Sequence, residues 1–292
     1  MSKLKAIDPK SAEPSKPKIL IYGKPGVGKT WTSLDFPNVF YIDVEQGANR
    51  SHYTDKLKAS GGVYLGAEQG STDFNVVIEQ TQALATEKHK FKTLVIDSVS
   101  KLFLLRKTEE AEKGGDDFGR DKKQANKPAR KLMSWLNKID MNVILISHEI
   151  PLWGTDSKGE RSQIGVTYDA WDKLDYDLDL CLNIIRQGDR RIAKVSKSRL
   201  LSFPDASTFT WSYDEFAKLY GKEVIEKQGE VMVLATVEQV KELNDLIALL
   251  NIQSDVIEKW LKKEEVEAFA EMSTANIQKY INAVKAKLPK VA

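Results

Sequence analysis

Three observations predict an α/β fold, with a mainly parallel sheet and helices on both of its faces. First, short and nearly unbroken apolar runs recur with helix-like segments between them: "ILIYG", "VFYIDVE", "FKTLVIDSVS" and "NVILISHEI". Strands covered on both faces read this way, because neither side of the pleat has to meet water. Second, the first run passes directly into a glycine-rich turn and a helix start, the opening of a βαβ unit. Third, 292 residues with 41% hydrophobic and 29% charged side chains give an ordinary globular composition, long enough for one sizeable core and an appendage.

In chain order, residues 1–16 carry Lys and Pro but no apolar stretch, so they form no secretory signal and read as a flexible lead-in. No segment approaches the length of a membrane span. Residues 17–230 hold the α/β core. After about residue 170, "YDLDLCLNIIRQGDRRIAKVSKSR" reads as two strands joined at a Gln-Gly-Asp turn, and "STFTWSYDE" as a further short strand; these extend the sheet in antiparallel fashion. Residues 236–292 place Val240, Leu243, Ile247 and Leu250, then Ile277, Tyr280, Ile281, Val284 and Leu288, at helical spacing. Thr236 with Gln239 is spaced as a capping box and Ser273 as an N-cap, so this part reads as a small helical module. Two stretches, "KTEEAEKGGDDFGRDKKQANKPARK" and "EIPLWGTDSKGERSQIGVTYDAW", read as long polar loops.

A net charge of +2 is too mild to establish a nucleic-acid partner on its own. Cys181 is the single cysteine, which excludes an internal disulfide framework and a cysteine zinc site and points to a reducing cytoplasm. Its place in "LDLCLNII" is that of an inert packed thiol.

Gly23-Lys24-Pro25-Gly26-Val27-Gly28-Lys29-Thr30 fits the pattern GxxxxGK followed by Ser or Thr, between a strand and a helix. Glycines let backbone N–H groups turn inward around phosphate oxygens, and the helix that starts there adds the positive end of its dipole. Lys29 is placed to reach the outer phosphates of ATP, and the Thr30 hydroxyl to ligate Mg²⁺. Asp97, closing the run "KTLVID", supplies the acid that a magnesium nucleotide needs at a nearby strand end. The residue after it is Ser98 rather than a glutamate, so the base that activates water must lie elsewhere; Asp43 and Glu45, at the end of "VFYIDVE", are the candidates.

With these motifs the sequence resembles the RecA-like superfamily of ATPases over roughly residues 17–215. "YIDVEQGA" resembles the strand that carries the family's catalytic glutamate, "TLVIDSVSKL" its metal-binding strand, and "VILISHEI" the next strand, which ends in a polar sensor. The resemblance implies Glu45 as the water-activating base and His148 as the sensor of the γ-phosphate, although an amide usually stands there. "RRIAKVSKSRLLSFP" is similar to the segment whose two basic residues reach a neighbouring subunit's nucleotide, which implies that role for Lys197 and Arg199. The compact core looks most like bacteriophage ATPases of the AAA type, some of them single-strand annealing recombination proteins.

The resemblance implies self-assembly into a ring or filament on single-stranded DNA, with both polar stretches facing the DNA. Cations for phosphates and an aromatic face for bases make Arg120, Lys122, Lys123, Trp153, Lys158 and Arg161 the candidate DNA contacts. Two other readings stand beside this one: a nucleotide-gated module with little hydrolysis that bridges a partner such as a single-strand-binding protein, and a motor of the helicase or packaging type.

Overall fold

The computed structural model describes residues 15–48, 51–114, 120–155 and 159–288. Lead-in residues 1–14 and Lys158 lie outside the described residues. The first half of the core alternates strands and helices: β1 (Lys18–Gly23), α1 (Lys29–Ser33), β2 (Val39–Asp43), α2 (Ser51–Ala59), β3 (Val63–Leu65), α3 (Phe74–Thr86) and β4 (Thr93–Asp97). Then come α4 (Val99–Gly114), α5 (Arg120–Lys138), β5 (Asn142–Thr155), β6 (Arg161–Asp169), β7 (Leu180–Gln187), β8 (Arg190–Ser198), β9 (Thr208–Thr210), α6 (Tyr213–Tyr220) and α7 (Lys222–Glu226). Helices α8 (Val237–Leu249), α9 (Ser254–Lys263) and α10 (Thr274–Lys285) complete the chain.

Among the described residues the sheet has nine strands in the order β3-β2-β4-β5-β1-β7-β8-β9, with β6 paired to β5. Strands β3, β2, β4, β5, β1 and β7 run parallel, and β8, β9 and β6 are antiparallel additions. Neighbouring residues of one strand go to opposite cores, as the period of two requires. Leu20, Leu94, Ile96, Val143 and Leu145 pack under α3, α4 and α5 with Leu132 and Trp135. Ile19, Ile21, Val95, Ile144 and Ile146 pack on the other face with Phe36, Trp211 and Phe216. This two-sided burial explains why the strands read as continuous apolar runs.

Both polar stretches expected to be loops are largely regular structure. The first is the end of α4 and most of α5, and Arg106 on α4 pairs with Glu109 at 3.1 Å and Glu110 at 2.7 Å, the i,i+3 and i,i+4 contacts of an exposed helix. The second is an antiparallel arm: β5 is buried from Asn142 to Ser147, then leaves the sheet at His148 and pairs with β6 as far as Thr155 opposite Arg161.

The capping box of Thr236 with Gln239 is present, and the Ser273 hydroxyl accepts from the Asn276 N–H. Helices α8 to α10 enclose their own cluster around Leu243, Ile277 and Ile281. That unit is tied to the core through α5, where Lys131 pairs with Glu267 at 2.5 Å and the Ser134 hydroxyl donates to the Glu265 carbonyl at 2.8 Å. Lys16, expected at the end of a flexible lead-in, is instead buried and donates to backbone carbonyls of Val224, Ile225 and Lys227. No helix among the described residues is long and apolar enough to cross a membrane.

Candidate active site

All the principal site residues stand where parallel strands end, the edge at which α/β sheets gather their ligands. Gly23 closes β1, opposite His148 of β5 and next to Ile184 of β7. A Cβ at Gly23 would run into the Ile184 carbonyl oxygen, so only glycine lets the loop leave the strand so close to its neighbour. Gly28, with φ 92° and ψ 23°, is the left-handed residue that turns the loop into α1. The Lys29 ammonium folds back over the loop, donating to the carbonyls of Gly23 at 2.7 Å and Lys24 at 3.0 Å.

The Thr30 hydroxyl donates to Asp97 Oδ2 at 2.5 Å, although β5 separates β1 from β4 in the sheet. A hydroxyl and a carboxylate are thereby side by side, the two side chains that would hold a magnesium ion beside a bound nucleotide. No cluster of three or more His, Cys, Asp or Glu side chains suited to a metal exists among the described residues. An ion at Thr30 and Asp97 would take its other ligands from phosphate oxygens and water, as magnesium does in nucleotide sites. Burial pushes the Asp97 carboxyl up to about 6; the Thr30 hydrogen bond opposes this, the charge of Glu45 adds to it, and Tyr41 and Lys29 oppose it. Burial also lowers the Lys29 ammonium, against the pull of Asp97, Glu149 and Glu45.

Of the two acids at the end of β2, the structure separates the roles. Asp43 is buried and accepts from the backbone N–H groups of Gly47 at 2.9 Å and Ala48 at 2.7 Å, so it shapes the loop. Glu45 turns the other way. Its Oε1 accepts from the Ser98 hydroxyl and lies 3.0 Å from His148 Nε2, and its Oε2 is 3.9 Å from the Lys101 ammonium. The main chain fixes the arrangement, because the N–H groups of Val44 and Glu45 both donate to the Asp97 carbonyl, at 2.7 and 3.1 Å. Glu45 and His148 remain partly open, with side chains 32% and 51% exposed.

The remaining candidates are dispersed. Trp153 and Arg161 meet on the arm, the guanidinium carbon 5.6 Å from the ring centroid. Lys122 and Lys123 lie on α5 rather than on a loop, exposed, with Lys122 paired to Asp172 at 3.0 Å. Arg120 opens the same helix. Lys197 and Arg199 lie at the opposite end of the sheet from the P-loop of their own chain, because β8 runs against β7 and pairs Ser198 with Leu180. There they donate to the Leu178 and Tyr176 carbonyls.

Sequence reasoning missed three side chains of the site. Tyr41, two residues before Asp43 on the same face of β2, donates between Asp43 and Asp97 at 3.2 Å to each. Lys101 lies one helical turn beyond Ser98. Glu149 accepts from Asn183 at 3.0 Å and adds negative charge near Lys29.

A glycine cradle at a strand end, a lysine within it, and a hydroxyl and carboxylate paired beside it define a P-loop nucleotide-binding protein. Residues 15–204 match the model of a family described as AAA domain, and the chain belongs to that family. No curated protein matches the chain. Among solved structures, one of the RadB recombinase is similar at 15% sequence identity, over 66% of this chain and 86% of that one, with a TM-score of 0.42.

Proposed function

We propose that this AAA-family P-loop protein is a magnesium-dependent ATPase that assembles on single-stranded DNA and serves bacteriophage-type recombination by annealing or strand exchange. The observation that carries the reading is the double position of His148. It is the hydrogen-bonding neighbour of Glu45 and also the last residue of β5 paired to β1 and the first paired to β6, where the arm bearing Trp153 and Arg161 begins.

Lys29 binds the outer phosphates, and backbone N–H groups from Lys24 to Thr30 hold the chain of phosphates in place. Magnesium, held by Thr30 and Asp97, would neutralise charge on the β- and γ-phosphates. Glu45 orients the attacking water and takes its proton, while Ser98 and His148 fix the rotamer of the carboxylate. Half-exposed Trp153, with Arg161 over its ring, joins an aromatic face to a cation, the pairing that single strands favour. Lys122 and Lys123, exposed on the helix that Arg120 opens, are the further cations of this reading. Assembly would bring a neighbour's nucleotide to Lys197 and Arg199, making turnover depend on the oligomer.

A second reading has one observation in its favour: Ser98, His148 and Lys101 all engage Glu45. A carboxylate held so belongs equally to a nucleotide-gated module that turns over little and bridges a partner such as a single-strand-binding protein. Phosphate release with and without single-stranded DNA separates the two. The ATPase reading expects stimulation by DNA, loss of that increment in the double variant W153A/R161A, and a fall of about 10²–10⁴-fold in Glu45→Gln with nucleotide binding retained. Normal turnover in Glu45→Gln would remove Glu45 as the base.

A further inference from the structure

We propose that Arg191 is a nucleotide-binding residue supplied in cis, its guanidinium holding the nucleoside-side phosphates at the last glycine of the P-loop. The inference rests on the P-loop binding a nucleotide and assigns a residue on the opposite flank of β1 from Asp97 and Glu45.

Arg191 sits on β8 opposite Arg186 of β7, and Ile184, two residues before Arg186, lies against Gly23. The start of β8 therefore stands beside the P-loop, level with the loop rather than with the strand. From there the side chain reaches across Gly28: a Cβ built on that glycine would lie 2.5 Å from Arg191 Cδ and 3.0 Å from Cζ, and closer still to Nε. The backbone is pinned, because the Arg191 carbonyl accepts from the N–H of buried Trp211 at 2.8 Å.

The charges nearby leave this guanidinium without a counter-ion. Among the described residues Arg191 forms no ion pair with a carboxylate, and Lys56, a cation close enough to feel its charge, is itself satisfied by Asp35 at 2.8 Å and by the Trp31 ring at 3.8 Å. Like charge between Arg191 and Lys56 contributes to lowering the Lys56 ammonium, after burial, with Asp35 opposing. A polyphosphate in the adjacent cradle supplies the missing negative charge.

The sheet order sets which phosphates these are. Asp97 on β4, Glu45 beyond β2 and His148 on β5 all lie to one side of β1, and β7 and β8 lie to the other. Thr30 and Asp97 would hold a magnesium ion that neutralises the outer phosphates, and Glu45 stands on the same side, so the γ end would point toward the acids. The α-phosphate and the nucleoside leave toward β8, where Arg191 lies along Gly28.

The test is titration of ATP and ADP with wild type, Arg191→Ala and Arg191→Lys, with exposed Arg190→Ala as control and melting temperature without nucleotide as the check on folding. The expected result is a loss of about ten- to a hundredfold for both nucleotides in Arg191→Ala, a partial loss in Arg191→Lys, and wild-type affinity in Arg190→Ala. Arg191→Gln carries the same comparison if the alanine variant melts early. Wild-type affinity in a folded Arg191 variant overturns the proposal alone, as does a loss confined to ATP, which would direct the guanidinium to the γ-phosphate. Absence of binding by wild type overturns the nucleotide-site reading with it.

Discussion

Lys18 opens β1 and Lys29 closes the loop that follows it, so two ammonium groups lowered by burial stand at opposite ends of one strand. Lys18 donates to the carbonyls of Ile139 at 2.5 Å and Met141 at 2.9 Å, groups fixed by the turn between α5 and β5. Lys29 donates to carbonyls of the P-loop itself, within the field of Asp97, Glu149 and Glu45. The end at Lys18 also has a cavity of about 460 Å³ lined by Lys16, Lys18, Lys138, Asp140, Asp179 and Arg199. Its cations are largely spent on backbone carbonyls. Both ammonium groups are held by carbonyls, so the difference teaches that a buried charge marks a ligand site when those carbonyls belong to a glycine-rich loop at the C-terminal ends of strands, and a structural plug when they belong to a turn at the other end of the sheet.

The sharpest way to break this contrast is to remove each lysine in turn. Lys29→Ala is expected to weaken ATP by at least about a hundredfold in calorimetry, and Lys18→Met to leave the affinity within about twofold. Equal losses would mean that the lower end also shapes the site. Asp97→Asn sharpens it next. Its carboxyl is raised to about 6, so the native state holds a proton that the unfolded chain releases between pH 4 and 6, and stability falls across that window as pH rises. The asparagine variant should therefore unfold at higher urea near pH 7, by as much as about 2–3 kcal/mol, while losing magnesium-dependent turnover. The last effect, no larger than that at Asp97, belongs to Lys18. With its ammonium lowered to about 7, the unfolded chain binds the extra proton above that pH, and stability should climb toward pH 9 by at most about 1.4 kcal/mol per pH unit. Urea midpoints of Lys18→Met should lack that slope.

The P-loop, Asp97 and the four central strands were legible in the sequence because each rests on local chemistry: glycines where φ must be positive, and apolar runs where both faces are covered. The arm from His148 to Asp169 was not. Both of its faces meet water over most of its length, with Ile150, Leu152, Trp153 and Ile164 exposed, so no apolar and polar alternation marks its period of two. Helix α5 hid for a related reason, since its polar first half carries Lys and Gln and only later reaches Leu132, Trp135 and Leu136 in the core. The basic residues after the Gln-Gly-Asp turn were placed by likeness to a segment. Strand direction, which composition does not carry, puts Arg191 beside the P-loop and Lys197 at the far end.

Strand β5 is at once the central plank of the sheet and one rail of the arm, continuous through His148 with no intervening loop. The pairing with β6 runs unbroken from His148 to Leu152 and shifts register between Leu152 and Trp153, so that first stretch is the part of the arm held in line with the imidazole beside Glu45. A tilt of the arm's base would therefore turn the imidazole with it, while a bend at the shifted register would leave the ring where it is.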